Sequence, residues 1–406
     1  MRVPREYLGV VLSTNCVGCF INHLALPDRY LHRAAQKSRK AVLQRSEEDH
    51  LSTVTVLTSL LTSQGGDINF DSRTKTKTIE PLLVQAAIHD AKACIALLDR
   101  LFAETSDDEG EEVEFSRQVL AGLVVTGLRG VPKEAQFLEQ TRIYVRGVLC
   151  LLARYAYFDF STETNDRTQG IVAPSQASRS IFRTRISSCL SHIISHHMSA
   201  SHVAYNLICD IRDHEGHLRS GRILLSVDTK IKRSMARARQ LLSDLNRAAP
   251  QRGACETISQ SAILLLCLIL LEVYNEDPDS VALMEDLLQV LEAKQTSEGN
   301  LEEFENSAVF VEILLSLLSK QSLLFRRTAC QVFTLTTKLV DEQALQSMFN
   351  VRNDALKTGT QIADLCRYLA NERISQASLK FSSGRGMKVS TRVRVTKPAT
   401  NPIPDL

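Results

Sequence analysis

The chain has 406 residues, with 48 Lys and Arg against 46 Asp and Glu, so its formal charge is only +2. This balance excludes a uniformly basic nucleic-acid coat, and the 5% aromatic content without Trp excludes rows of stacked rings as the main way to hold single strands. With 17 Gly and 10 Pro, the chain has fewer turn residues than a strand-rich fold uses, so we expect helices.

Apolar residues recur at spacings of three and four along nearly the whole chain, as in Leu82, Leu83, Ala86 and Ala87. This period predicts an all-α fold, and the short connections between the inferred helices indicate stacked hairpins of the armadillo or HEAT type. Residues 28–35 and 322–329 resemble each other, which favours a repeat, although two unrelated helices with similar surroundings would also look alike. We therefore predict a helical-repeat solenoid over residues 1–372.

Proline residues and side-chain oxygens mark candidate helix starts along the chain. They occur at Pro27, Pro132, Ser175, Asp277 and Asp341. Residues 262–271 form the longest apolar run, which is about half the length that a bilayer needs. We predict that this run lies in a helix buried on all sides.

Three stretches break the helical pattern. Acidic residues crowd positions 104–115, where like charges repel, and we predict a disordered acidic loop there. Residues 161–175 combine Thr, Asn, Asp, Gly and Pro, which is typical of a second loop. Positions 375–404 carry Lys and Arg without any acid, so we predict a basic flexible tail over residues 373–406.

Two groups of residues have spacings that suggest metal ligands. They are Cys16 with Cys19, and the set His192, His196, His197 and His202. The histidines lack the Glu that a metalloprotease helix places after its first His, and the cysteines lack a second Cys pair. Hydrogen-bonded histidines and structural thiols are therefore favoured, and we predict neither a metal nor a cofactor.

A nucleotidyl-transfer site would need acids from separate segments that converge on two metal ions. The candidates are Asp159, Asp210, Asp213, Glu276, Asp277 and Asp279. All are predicted at helix ends or turns, where acids cap amide groups. The sequence also has no Gly-rich phosphate loop and no nucleophile elbow, so we predict that the chain is not an enzyme.

Two basic stripes are the strongest functional signal. Their members are Arg29, Arg33, Lys37 and Lys40 in the first stripe and Lys230, Arg233 and Arg237 in the second. Offsets of three and four place each set on one face of a helix, where it could follow a phosphate backbone without reading sequence. The alternative is an ordinary solvated helix face.

Four segments, in the same order, resemble the fungal DNA polymerase V family, also called DNA polymerase phi and related to Myb-binding protein 1a. Residues 69–83 read NFDSRTKTKTIEPLL and are similar to the family's NFD-TKTKT-E-LL segment. The other three segments read CFIN with DRYLHRAA (19–22 and 28–35), LEVYNEDPDSV (271–281, against L-VYNGDPDAV), and VEILLSLLS with LFRR and QVF (311–319, 324–327 and 331–333). The resemblance runs from about Cys19 to Phe349 and indicates the middle of a family member.

The resemblance implies a nucleolar helical-repeat protein that acts in ribosomal RNA gene transcription and in production of the large ribosomal subunit, without polymerase activity. Expected partners are ribosomal DNA or pre-rRNA and nucleolar or pre-ribosomal proteins, with no membrane. Lys75 and Lys77 of the first segment join the stripes as candidate nucleic-acid contacts. The competing hypotheses are a helical-repeat adaptor that grips protein segments and, less favoured, a genuine DNA polymerase.

Overall fold

The computed structural model describes residues 7–62, 65–104, 111–132, 138–159, 174–196, 199–216, 222–248, 254–296, 307–320 and 322–336. This part of the chain contains sixteen α-helices, one 3-10 helix (His50–Ser52) and two short strands. The helices are α1 Leu8–Val11, α2 Thr14–Ala25, α3 His32–Glu48, α4 Thr53–Leu61, α5 Phe70–Thr74, α6 Ile79–His89, α7 Ala91–Glu104, α8 Glu111–Gly130, α9 Glu139–Tyr157, α10 Gln176–Ser195, α11 Ala200–Gly216, α12 Thr229–Ala248, α13 Ala254–Tyr274, α14 Pro278–Thr296, α15 Ser307–Ser319 and α16 Leu323–Thr336.

The strands do not change the fold class. β1 (Phe158–Asp159) and β2 (Arg222–Ile223) pair antiparallel and join the end of α9 to the segment that precedes α12. The all-α prediction is confirmed.

The helices stack as successive hairpins, which confirms the helical-repeat prediction. One layer runs α6, α8, α10, and the other runs α7, α9, α11, α13, with each helix packed against the next in its layer. Each hairpin also pairs a helix of one layer with a helix of the other, as α8 does with α9. A hairpin cannot bury its apolar faces alone, so stacking supplies the continuous core.

The carboxyl-terminal end of the array departs from simple chain order. The helix that packs beside α10 and against α13 is α16, which comes much later in the sequence than α12. Helix α12 instead packs on α13 and α14, and α15 connects α14 to α16 by contacts with both. This arrangement brings residues of α10 and α16 together although they are more than 100 positions apart.

Helix α13 forms the centre of this end of the molecule. Every residue from 262 to 271 is buried, and the helix packs against α11, α12, α14 and α16. The prediction of a helix buried on all sides is confirmed. Within the described ranges, no helix is long and apolar enough to cross a membrane.

The acidic loop predicted over residues 104–115 is shorter than expected. Helix α7 extends through Glu104, and α8 already begins at Glu111. Acids in the first turn of α8 lie near the amide end of the helix dipole, which stabilises helix there despite the repulsion between like charges. Residues 105–110 lie outside the described part, as do the predicted tail over 373–406 and the end of the predicted solenoid beyond 336.

Two predicted helix starts are confirmed. The Ser175 hydroxyl accepts a hydrogen bond from the amide of Ser178 at 3.1 Å, and α14 begins at Pro278, immediately after Asp277. The start predicted at Pro27 is wrong, because turns occupy the residues up to His32. Helix α9 begins at Glu139, with residues 133–137 outside the described part, and Asp341 lies outside it too.

Candidate nucleic-acid interface

The first stripe is exposed, but its members do not all lie on one helix. Arg33, Lys37 and Lys40 lie on the solvent face of α3, and within the described ranges none of them pairs with a carboxylate. Arg29 lies in the turn that precedes the helix, where the His32 amide donates to its carbonyl at 2.9 Å. Placing Arg29 on the helix was therefore wrong, although its side chain is exposed directly before the stripe.

The last turn of α2 brings this stripe close to the loop that carries Lys75 and Lys77. His32, at the start of α3, donates from Nδ1 to the carbonyl of His23 at 2.8 Å. Arg73, just before the loop, donates from Nη2 to Oδ1 of Asn22 at 3.2 Å. Because Asn22 and His23 are neighbours in α2, the two basic segments meet at the same helix end.

Alternation of Thr and Lys determines how the loop presents its charges. The hydroxyls of Thr74, Thr76 and Thr78 form a chain with distances of 2.8 and 2.9 Å. The intervening Lys75 and Lys77 are exposed, and Lys75 has a left-handed backbone with φ of 52°. The threonines therefore hold the loop while both ammonium groups point to solvent.

Asp71 fixes this loop to the first turn of α6. Its carboxylate accepts from the amides of Thr78 at 2.7 Å and Ile79 at 3.0 Å, and from the Thr76 hydroxyl at 3.3 Å. Burial raises the pKa of the Asp71 carboxyl, and these hydrogen bonds act in the opposite direction. Asp71 lies in α5, on the other side of the loop, and its carboxylate thus caps the start of α6.

We call the following six residues the amino-terminal basic surface: Arg29, Arg33, Lys37, Lys40, Lys75 and Lys77. All six side chains are exposed. No sequence period links the two halves of this surface, because their proximity depends on the packing of α3 and α5 against α2.

The second stripe is weaker than the sequence suggested. Lys230 and Arg233 are exposed on α12, but Arg237 donates to Oε2 of Glu292 on α14 at 2.6 Å. Its charge is therefore partly neutralised by a neighbouring helix. Only packing of α12 against α14 reveals this partner, which lies 55 positions away.

The acids that a polymerase site would have needed serve mainly in ion pairs. Asp210 accepts two hydrogen bonds from Arg146, at 3.0 and 2.6 Å, and Asp277 accepts from Lys320 at 2.5 Å. The remaining candidates include Asp213, which pairs with Arg212 at 2.8 Å. In the described part of the chain, no group of three His, Cys, Asp or Glu residues could hold a metal ion.

The histidine cluster lies at the end of α10. His196 donates from Nδ1 to the carbonyl of His192 at 2.8 Å, and their ring centroids are 4.0 Å apart. This agrees with the prediction of a hydrogen-bonded helix-end histidine. Burial, and then His196, lower the pKa of His192 to about 4. His202 is exposed on α11, and His197 lies outside the described residues.

The thiols of Cys16 and Cys19 are exposed on α2. The expectation of structural thiols within an apolar helical pattern was wrong, because the buried face of α2 is formed by Val17, Ile21 and Leu24 instead.

A basic cluster that the stripes did not predict surrounds α10. Arg129 of α8, Arg185 of α10 and Arg327 of α16 all lie on or beside this helix. One feature of the sequence could have indicated this basic cluster, because residues 167–209 contain no Asp or Glu. The irregular spacing of the arginines hid the cluster, and only the packing of α16 against α10 completes it.

A groove of about 360 Å³ separates α9 from α11. Its lining combines charged residues with apolar ones, including Arg142, Ile143, Arg146, His202, Val203 and Asp210. The groove could hold a short peptide segment with both acidic and apolar side chains.

Comparison with known proteins gives a consistent result. The DNA polymerase phi family matches residues 1–361, which extends past both ends of the resemblance found in the sequence. The chain is 25% identical over 396 residues to the rDNA transcriptional regulator pol5 of Schizosaccharomyces pombe, covering 92% of the chain and 39% of that protein. It is 23% identical over 363 residues to the rDNA transcriptional regulator POL5 of Saccharomyces cerevisiae, covering 86% of the chain and 32% of that protein. The chain thus spans less than half the length of these relatives. No solved structure matches it.

Proposed function

Because the chain belongs to the DNA polymerase phi family, we propose that it is a non-catalytic nuclear scaffold that binds nucleic acid during transcription of ribosomal RNA genes. The names of its two relatives, both rDNA transcriptional regulators, support this role. The proposal extends to a nucleolar location, to production of the large ribosomal subunit, and to ribosomal DNA or pre-rRNA and nucleolar or pre-ribosomal proteins as partners.

The observation that carries the proposal is the amino-terminal basic surface. Six exposed cations lie on α3, in the turn before it and in the loop after α5, and both helices pack against α2, in a chain whose formal charge is only +2. Concentrated positive charge attracts phosphates and releases their counterions, which favours binding without dependence on sequence. This surface is therefore suited to the backbone of either RNA or DNA.

The absence of a polymerase role is supported by the use of the acidic side chains. Asp210 and Asp277, the acids with the closest cationic partners, stabilise contacts between α9 and α11 and between α14 and the end of α15. A two-metal site would need such carboxylates to converge without cationic partners.

A protein-gripping adaptor is the second candidate, and the groove between α9 and α11 favours it. The groove offers Ile143 and Val203 beside Arg142, so it could take an acidic peptide with an apolar anchor. Nucleic-acid binding remains the first proposal because its surface has six exposed cations, whereas the groove combines Arg142 and the Asp210-paired Arg146 with Glu139.

Measurement of binding against salt concentration tests the proposal. Replacing Arg33, Lys37 and Lys40 together by Gln removes three phosphate contacts from exposed positions. The slope of log affinity against log salt should then fall by about 2 for a single-stranded RNA and by about 2.7 for duplex DNA.

The matched control replaces three exposed cations elsewhere, Lys92, Arg100 and Arg247, by Gln. This control loses the same total charge and should keep most of the slope. Equal slopes for the stripe variant and the wild-type chain would overturn nucleic-acid binding by this surface and favour the adaptor.

A further inference from the structure

We propose that α10 carries a second phosphate-binding site, the α10 patch, formed by Arg129, Arg185 and Arg327, which holds the backbone of the nucleic acid. This inference rests on the proposed function, since it assumes the same ligand. It adds a site that no periodic pattern in the sequence indicates.

Hydrogen bonds place two of the guanidinium groups against α10. Arg129 donates from Nη2 to the hydroxyl of Ser188 at 2.7 Å. Arg327 donates from Nη1 to the hydroxyl of Ser191 at 2.9 Å and to its carbonyl at 3.0 Å. Arg185 lies three positions before Ser188, so it shares the face that Arg129 reaches. Helices α8 and α16 thus each contribute one arginine to the surface of α10.

The electrostatic effects on two neighbouring side chains, the half-buried His192 and the buried Cys189, support this placement. After burial and His196, the charges of Arg129 and Arg327 both lower the pKa of His192. Arg129 and Arg185 also act together on the thiol of Cys189, whose pKa burial raises to about 12. The three guanidinium groups therefore surround one short segment of α10.

The α10 patch has no acidic neighbour on two of its three helices. The sequences of α10 and α16 contain no Asp or Glu, and the acids of α8 lie in its first turns, at least 15 residues before Arg129. Fifteen helical residues span about 22 Å. Within the described ranges, none of the three arginines forms an ion pair, whereas Arg183 of the same helix lies 3.8 Å from Glu276.

Geometry favours a polymer of phosphates over a single small anion. Arg129 and Arg327 are hydrogen-bonded to Ser188 and Ser191, and Arg185 lies one turn before Ser188, so the patch follows six residues or about 9 Å of α10. Phosphates along one strand of a duplex are about 3.4 Å apart along the axis, so two or three can lie above this span. A guanidinium group can bind phosphate oxygens through two parallel hydrogen bonds.

A protein partner fits this surface less well. No large apolar side chain of α10 is exposed, and on α16 the exposed Leu323, one turn before Arg327, is a single apolar side chain beside three arginines. Interfaces between proteins generally depend on buried aromatic or aliphatic anchors.

The test is fluorescence anisotropy with a labelled 20-nucleotide RNA and a labelled 20-base-pair DNA, using the full chain. Replacing Arg129, Arg185 and Arg327 by Gln should lower affinity about 100-fold at 0.1 M salt and reduce the salt slope by about 2–3. The control replaces Arg100, Arg212 and Arg247 by Gln, which removes the same charge from exposed positions.

The single variant Arg185→Gln keeps the test valid if the triple variant does not fold, because the hydrogen bonds from Arg129 and Arg327 to α10 then stay intact. Its slope should fall by about 0.7–0.9. Unchanged binding by both α10 variants would overturn the inference. Loss of binding in the stripe variant, which replaces Arg33, Lys37 and Lys40, would then still support the proposed function. No binding by the wild-type chain would overturn both.

A labelled poly-glutamate of equal charge distinguishes the class of ligand. We expect it to bind more weakly than the RNA and to be less sensitive to the triple substitution. Equal affinity and an equal loss would overturn the assignment to nucleic acid, since the patch would then recognise acidic protein segments.

Discussion

Asp71 should be the residue on which the order of the Lys75 and Lys77 loop depends most. Asp71→Ala removes two hydrogen bonds between a carboxylate and the amides of Thr78 and Ile79. Hydrogen bonds to a charged group contribute about 1.5–3 kcal/mol each, and the variant no longer has to bury a carboxylate. We expect a net loss of about 3 kcal/mol for opening α6, and about half of that for Asp71→Asn, which keeps one acceptor oxygen.

Amide hydrogen exchange is the appropriate assay, because a long helical array opens in parts rather than as one unit. A loss of about 3 kcal/mol should speed exchange of the first amides of α6 by about 100-fold. Asp90→Ala is the control, since the Asp90 carboxylate accepts, among the described residues, one long bond, at 3.4 Å, from the amide of Ala93. Exchange in α6 that is no faster in Asp71→Ala than in Asp90→Ala would refute the capping role.

Three further outcomes are expected. Glu276→Gly should stabilise the chain against denaturant by about 0.5–1 kcal/mol. The left-handed backbone of Glu276, with φ of 66°, costs more free energy than its 3.8 Å contact with Arg183 contributes at a surface. A lower stability of the variant would contradict this. The lowered pKa of His192 keeps its folded-state ring neutral, so stability should fall by about 1 kcal/mol, discounted for partial exposure, as pH decreases from about 6.5 to 4. This loss should disappear in His192→Gln. Iodoacetamide should modify Cys16 rapidly and the buried Cys94, whose pKa is raised to about 12, only after unfolding, as mass spectrometry would show.

Much of the fold could be predicted because local patterns determine it. The apolar period identified helices throughout, and the run over 262–271 indicated full burial, since neither depends on long-range contacts. Pro27 misled the prediction because a turn can also begin with a proline. The return of α16 to pack beside α10 could not be predicted, since no local signal specifies which later helix fills that position.

The candidate interface was only partly predictable for the same reason. The exposure of Arg33, Lys37 and Lys40 could be predicted, because their spacing in the sequence puts them on one polar face of a helix. The pairing of Arg237 with Glu292 depends on tertiary packing, so the second stripe was overestimated. The α10 patch depends on packing even more, because its arginines come from three separate helices.

Lysine footprinting can show directly whether the amino-terminal basic surface contacts phosphates. The full chain is acetylated briefly with and without a 20-nucleotide RNA or a 20-base-pair DNA, and the modified lysines are quantified by mass spectrometry. We predict that nucleic acid protects Lys37, Lys40, Lys75 and Lys77 while Lys92, exposed on α7, is modified at an unchanged rate. Equal modification of all five lysines with and without bound nucleic acid would show that this surface does not contact phosphates.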